Sequence, residues 1–418
     1  MIKRTIFEEL LAQKDNAKIS FLIGARQVGK TTLLKQLYEQ LCAHDKNQGL
    51  FLDLDLFSNF EKVSSFENLL NLIKLNGYEE NKKDYFYLFL DEFQRYADFS
   101  LILKNVYDHL KNVKIYASGS SLQIKNQIQE SLAGRKIINK IYPLSFLEYL
   151  QFKNNLNLIN QVKNLKKLRG EELNKVTIEL KKELEEFLIY GSYPEVVLTG
   201  DIEKPIILES IFDLYIKKDL IEYLNINKIS NIKKLIEYLA INNGQKIKYD
   251  EISKVCSLTY KEVLNYLEIL EETFLIKIVK PYYKNKNKEL TKIPKSYFLD
   301  SGVRNYFIKN FNPRSVRADF GYLFEGFIIS ELIKKGQDDL KFWQNKNNQE
   351  VDIVLDKKEV IPLEVKFKEN LKSDDEIGLN AFFREYPSKK GYLINLSTQK
   401  LKKNIQFTLP YNLDFLGI

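Results

Sequence analysis

One short stretch restricts this chain more than any other: Gly24-Ala-Arg-Gln-Val-Gly29-Lys30-Thr31, which fits G-x-x-x-x-G-K-[ST]. It follows the apolar run 18–23 and opens an amphipathic stretch over 32–41. A glycine turn between a buried strand and a helix lets backbone N–H groups close around phosphate oxygens. The helix N-terminus adds partial positive charge. The pattern assigns Gly24, Ala25, Arg26, Gln27, Val28, Gly29, Lys30, Thr31 and Thr32 to a cradle for ATP. Lys30 is expected to reach the β- and γ-phosphates, and the Thr31 hydroxyl to ligate Mg²⁺.

A second element belongs with the first. The apolar run 85–90 ends in Asp91-Glu92. Asp91, at a strand end, suits the Mg²⁺ shell, and Glu92 is placed to orient or deprotonate the water that attacks the γ-phosphate. Further strands are expected at 51–56 and 113–117, the latter ending in Ser118-Gly-Ser-Ser121, where Ser118 could touch the γ-phosphate. Strands alternating with amphipathic helical stretches give an α/β domain with a parallel sheet over 1–150. Arg135 is a candidate arginine finger. No arginine occurs between Arg169 and Arg304, so such a finger would act in trans within a homo-oligomer. A surface arginine is the equal alternative.

Composition narrows the remaining classes. At roughly 150 residues per domain, 418 residues suggest about three domains. With 44% apolar and 29% charged residues the chain can build ordinary cores. No apolar run approaches the ~18 residues of a membrane span. Glu8 and Glu9 interrupt the first apolar stretch, against a secretory signal. Two cysteines (Cys42, Cys256) and two histidines (His44, His109) leave no disulfide framework, four-thiolate zinc site or histidine triad, so a cytoplasmic protein is expected. The 64 basic against 56 acidic residues leave +8, which permits DNA as a partner without demanding it.

Beyond the first domain the pattern turns helical, and a lid is expected over 151–228. A helix-turn-helix follows in 229–298, with helices near 229–242, 249–256 and 260–273. Thr259 caps the third, whose buried face carries Val263, Tyr266, Leu267 and Leu270. Residues 274–295 read as a wing. Over 231–295 there are 13 lysines against 8 acidic residues, a local +5. Lysines on phosphates fit this balance. However, Glu268, Glu271 and Glu272 crowd the third helix, and it offers no arginine for guanine. Backbone contact with little base readout is expected; a packing or protein-docking role stays open.

In 299–418, residues 350–355 alternate so that Glu350 and Asp352 share a face, and 362–367 place Glu364 and Lys366 on one face. A four-residue turn between them could bring Asp352, Glu364 and Lys366 together. Glu325 falls on the apolar stripe of a long helix over 316–335, where a carboxylate is costly unless paired or bound to metal. Together these resemble the PD-(D/E)xK nuclease signature. That resemblance implies Mg²⁺ on Asp352 and Glu364 with Glu325 nearby, and Lys366 orienting or activating the attacking water. Glu-x-Lys alone says little, since Glu179-Leu-Lys181 repeats it in a helical stretch.

Gly24–Thr31, Asp91-Glu92, Ser118–Ser121 and Pro143-Leu-Ser-Phe-Leu-Glu148 resemble a family of prokaryotic AAA-type ATPases related to origin-recognition ATPases. Gly191-Ser-Tyr-Pro-Glu195 and Pro294-Lys-Ser-Tyr-Phe-Leu-Asp300 resemble later signatures of that family. The resemblance implies a multidomain α/β protein: a P-loop parallel sheet, a helical lid, a winged helix and a restriction-endonuclease-like C-terminal domain. Two readings follow. One is an ATPase that couples nucleotide state to DNA binding and Mg²⁺-dependent cleavage; the other is a nucleotide-dependent switch or scaffold with an inert nuclease-like domain.

Overall fold

Five short apolar segments pair in parallel: β1 (Ile19–Gly24), β2 (Gly49–Asp53), β3 (Phe86–Asp91), β4 (Val113–Gly119) and β5 (Lys136–Ile141), in the order β2-β3-β4-β1-β5. The computed structural model describes residues 2–43, 48–93, 96, 99–119, 132–222 and 228–416. Central β3 and β4 are buried at every position, as a parallel sheet covered on both faces requires. Leu88, Leu90, Phe93, Leu103, Val106 and Ile115 belong to its core. The expected strand 51–56 instead ends at Asp53, and Leu56 lies exposed. β5 escaped the sequence reading because its edge position leaves alternate side chains, Lys140 among them, in water.

The chain divides into two units: residues 1–143 with 272–274, and residues 144–271 with 275–418. The second is built on an eight-stranded mixed sheet. It contains β6 (Ile276–Pro281), β7 (Lys295–Phe298), β8 (Leu340–Gln344), β9 (Glu350–Asp356), β10 (Val360–Val365), β11 (Gly391–Ile394), β12 (Lys400–Lys402) and β13 (Ile405–Thr408), in the order β12-β13-β11-β10-β9-β8-β6-β7.

Two expected segments contribute to this second unit. The segment read as a wing forms an antiparallel pair, β6 with β7, but β6 also runs parallel to β8, pairing Lys280 with Lys341. Its backbone groups thus extend the C-terminal sheet, and the residues on either side of 298/299 lie in one unit. The expected lid, 151–228, lies in the second unit. Its long helix Gly170–Tyr190 buries Val176, Leu180, Leu184, Phe187 and Leu188. Asn305 donates to the Leu188 and Ile189 carbonyls at 2.9 and 2.8 Å, and the Phe187 ring lies 5.3 Å from that of Phe327.

Two sequence signatures meet at a joint in this unit. Asp300 accepts from the Ser192 N–H at 2.7 Å and caps the helix Ser301–Phe307 through the Val303 N–H at 3.0 Å. Gly191 has φ +76°, and a Cβ there would lie 2.1 Å from Asp300 Oδ1. The helices Ile229–Ile241, Tyr249–Cys256 and Tyr260–Glu272 follow the expected helix-turn-helix order. Ser257 turns the chain at φ +53°. Thr259 and Glu262 cap each other reciprocally: the Thr259 N–H donates to the Glu262 carboxylate at 2.8 Å and the Glu262 N–H to the Thr259 hydroxyl oxygen at 3.3 Å.

Candidate functional site

The glycine loop leaves the C-terminal end of β1. Gly24 packs so tightly against β5 that a Cβ would lie 2.0 Å from the Ile141 carbonyl oxygen. Gln27 (φ +58°) and Gly29 (φ +95°) are left-handed and curl the loop into the helix Lys30–Leu41. Val28 is fully buried and anchors the loop, and Arg4 donates to the Val28 and Tyr142 carbonyls at 3.0 and 2.8 Å. Lys30 folds over the loop, donating to the Gly24 and Ala25 carbonyls at 3.1 and 2.7 Å. Thr31 and Thr32 continue the first helical turn, whose N–H groups lack intrahelical acceptors.

The ends of neighbouring strands supply the acids. Asp91 is buried at the end of β3 and is hydrogen-bonded by the hydroxyls of Ser118 and Thr31. Burial raises its pKa, opposed by those two hydroxyls, while Glu92 and Asp53 push it further up. Asp53 sits directly across from Asp91 on β2. The sequence reading passed over this third carboxylate because Phe51-Leu-Asp-Leu-Asp-Leu56 looked like continuing strand. Glu92 holds φ +54°, a conformation uncommon for a residue with a side chain. Thr31, Asp91, Glu92 and Ser118 are therefore brought to one end of the sheet.

Arg135 is not brought there. Its carbonyl accepts from the Ile19 N–H at 2.9 Å, at the opposite end of β1 from the glycine loop. Its guanidinium forms two bonds to Asp108, at 2.8 and 3.1 Å, and lies over the Tyr107 ring. Ser120, Ser121, Ser131 and His44 lie outside the described residues.

A second cluster lies in the C-terminal sheet. β9 and β10 pair with Leu363 across from Ile353, which sets Glu364 beside Asp352. Asp352 Oδ2 accepts from the Val365 N–H at 2.7 Å and lies 4.0 Å from the Lys366 ammonium, which also pairs with Glu364 Oε1. Glu325 projects from the helix Phe320–Lys334 and accepts from the Tyr297 hydroxyl. Burial, then the Asp352 charge, raises the pKa of both Glu325 and Glu364.

Lys295 on β7, absent from the sequence reading of this site, pairs with Glu350 and lies 3.7 Å from Glu325. The available signal was alternation: Lys295 and Tyr297 share one face of Lys295-Ser-Tyr-Phe298. The two carboxylates expected to hold Mg²⁺, Asp352 and Glu364, stand side by side on β9 and β10. Among the described residues no three carboxylate, imidazole or thiol side chains are grouped to hold one metal ion. Ammonium, phenol and backbone donors already engage Asp352, Glu325 and one oxygen of Glu364. Glu364 Oε2 alone of these is buried without a hydrogen-bond partner. As arranged, the cluster does not fit a divalent ion.

Residues 16–150 match the model of an AAA domain. Residues 181–314 and 320–413 match two domains of unknown function, DUF8612 and DUF4143. The chain is 28% identical over 349 residues to the uncharacterized protein MJ1544 of Methanocaldococcus jannaschii, covering 81% of this chain and 72% of that one. It is 26% identical over 348 residues to an uncharacterized protein of Haemophilus influenzae, covering 80% of each. Against MJ1637 of Methanocaldococcus jannaschii it is 25% identical over 306 residues, spanning 63% of that relative's length. Among solved structures, a Thermotoga maritima RuvB mutant aligns over 68% of this chain and 91% of its own, at 13% identity and TM-score 0.30. AMPPCP-bound DnaA from Aquifex aeolicus aligns over 64% and 86%, at 16% identity and TM-score 0.27. The first unit thus carries an AAA-type, nucleotide-binding P-loop domain. Among the described residues no helix is long and apolar enough to cross a membrane.

Proposed function

We propose that this protein is an ATP-hydrolysing switch whose nucleotide state governs DNA binding by its second unit. The observation that carries the hydrolytic half is the Asp91–Glu92 corner. A buried carboxylate is tied to the Thr31 hydroxyl of the glycine loop, and the next residue is held in a left-handed conformation. The Thr31 hydroxyl and Asp91 carboxylate are hard oxygen donors and suit Mg²⁺, which when bound with nucleotide would neutralise phosphate charge. Lys30 binds the β- and γ-phosphates, and Glu92 orients the attacking water and accepts its proton. The excess of 13 lysines over 8 acids across 231–295 supports a DNA backbone as ligand. The test is ATP turnover with and without duplex and single-stranded DNA, for wild type, Lys30→Ala and Glu92→Gln. DNA stimulation lost in both variants is expected. Turnover indifferent to every DNA offered would refute the coupling.

One observation favours a second reading, a switch or scaffold that does not cut: Lys295 lies among the carboxylates where cleavage needs a metal. Plasmid cleavage by wild type with Mg²⁺ or Mn²⁺, abolished by Asp352→Ala, would decide for the nuclease.

A further inference from the structure

The whole chain carries a net charge of +8, and four short segments of the second unit hold as much by themselves. Residues 284–288, 356–359, 384–390 and 400–403 contain 11 basic side chains against 3 acidic ones. Strand pairing brings these segments to one end of the eight-stranded sheet. The turn between β9 and β10 carries Lys357 and Lys358, and β11 starts beside it, directly after Lys390. Lys403 lies in the two-residue turn between β12 and β13. Ser388 Oγ donates to the Val360 and Lys390 carbonyls at 2.7 and 3.1 Å, and Gly391 N–H to the Asn404 carbonyl at 2.8 Å, which ties these turns into a row. Lys286 joins it by pairing with Asp356 at 2.8 Å. Asp356 also pairs with Lys341, and Glu359 with Lys389; Glu385, Asp338 and Asp339 stay exposed nearby. Lys357, Lys358 and Lys403 are exposed and have no acidic partner among the described residues. Lys284, Lys390 and Lys400 lie over the rings of Tyr386, Tyr392 and Phe407 at 5.5, 4.8 and 4.8 Å, which steadies each ammonium without neutralising it. Lys403 has φ +53°, a turn conformation that suits Asn or Gly better than Lys.

We infer that this end of the sheet binds the phosphate backbone of duplex DNA. The inference goes beyond the switch described above: it puts a DNA contact on the C-terminal sheet, apart from the three helices, and needs no ATP turnover. Adjacent strands stand about 4.8 Å apart, so successive turns set ammonium groups at intervals comparable with phosphates, which recur every ~3.4 Å of axis along each DNA strand. Lysine dominates the row, and it holds a backbone as a point charge without reading bases. A membrane surface would ask for apolar side chains beside the charges, yet among the described residues of these segments Leu401 alone is a large exposed hydrophobic. The row also lies away from the buried acids. Glu364 stands four residues along β10 from Val360, about 13 Å of strand, with Asp352 beside it. The duplex is thus held at the end of the sheet remote from carboxylates that would repel it.

The test is fluorescence anisotropy of a labelled duplex of mixed sequence, titrated with the full chain over a series of salt concentrations. Wild type is compared with a row variant that combines Lys357→Ala, Lys358→Ala, Lys390→Ala and Lys403→Asn, the last chosen because Asn accepts the left-handed turn. A conservative variant carries Lys357→Arg, Lys358→Arg and Lys390→Arg, and a third carries Lys248→Ala, Lys254→Ala and Lys261→Ala on the three helices. The row variant should bind at least about tenfold more weakly at low salt, with the slope of log affinity against log salt reduced by about 3. The conservative variant should keep both affinity and slope. Unchanged affinity and slope in the row variant overturn the inference, and loss in the three-helix variant instead would leave the switch intact. No duplex binding by wild type overturns both. Binding lost in the row variant alongside ATP turnover indifferent to DNA would refute the switch and leave the row standing. Attachment to vesicles of phosphatidylserine and phosphatidylcholine through the same lysines, without DNA binding, would overturn the inference in favour of a membrane surface.

Discussion

Glu92 holds a backbone conformation that its side chain disfavours, at φ +54°, directly after the buried Asp91. Such strain persists where surrounding contacts impose it, often at functional sites. Glu92→Gln keeps the shape and removes the proton acceptor. Turnover should fall by about 10²–10⁴-fold while a fluorescent ATP analogue still binds. Binding lost together with turnover would reassign Glu92 to the cradle. Asp319 makes a different argument at this scale. Burial works to raise its pKa, but Arg317 and Arg304 overcome this and hold it at about 2. Arg317 bonds both its oxygens, at 2.9 and 2.8 Å, and Arg304 adds a third contact. With the folded pKa below the unfolded value of about 3.9, the stabilisation is full above about pH 4 and fades as pH falls through about 2. Asp319→Asn leaves two buried guanidiniums short of a counter-charge and should cost about 3–5 kcal/mol at pH 7 by urea unfolding. The loss should shrink in acid; a loss equally large at pH 2 would contradict the ionic origin.

Elements show where sequence periodicity suffices and where it fails. Thr259 was legible as a cap, and Val263, Tyr266, Leu267 and Leu270 as a buried face, because both signals lie within four residues along one helix. The hairpin that joins Asp352 to Glu364 was legible for the same reason: strict alternation on two strands separated by a short turn. β5 was not, since an edge strand shows only half a pattern, and β12 and β13 are too short to show one. Lys295 was missed because its partners, Glu325 and Glu350, lie 30 and 55 residues away, and no local period reports such pairing. The Gly191–Asp300 joint is another long-range device, visible in the sequence only as two signatures. Asp300→Ala would strand the N–H groups of Ser192 and Val303, each worth about 1–3 kcal/mol when left buried and unpaired. Gly191→Ala should also destabilise, through φ +76° and the 2.1 Å clash. Because both changes act on one contact, the double variant should lose less than the sum of the single losses, measured by urea unfolding. Strict additivity would mean that the two residues do not share this joint.

At the scale of the whole chain, the four segments suggested by composition and motif resolve into two units. The first was largely readable: the glycine loop, the paired acids and the strand rhythm all lie within one stretch and agree with one another. The second was read in pieces, because its sheet takes β6 and β7 from before the helix Phe320–Lys334 and six strands from after it. Such a division has a thermodynamic signature. Nucleotide binds the folded first unit, so it stabilises that unit by about 2.7 kcal/mol when free ATP stands a hundredfold above its dissociation constant. Calorimetry should resolve two transitions. ATP with Mg²⁺ should move one of them upward and leave the other in place. Lys30→Ala should abolish the ATP shift, whereas Asp319→Asn should lower only the transition that ATP does not move. One transition that responds to both would mean that the two units unfold as a single cooperative block, and nucleotide energy would then reach the carboxylate cluster through stability alone.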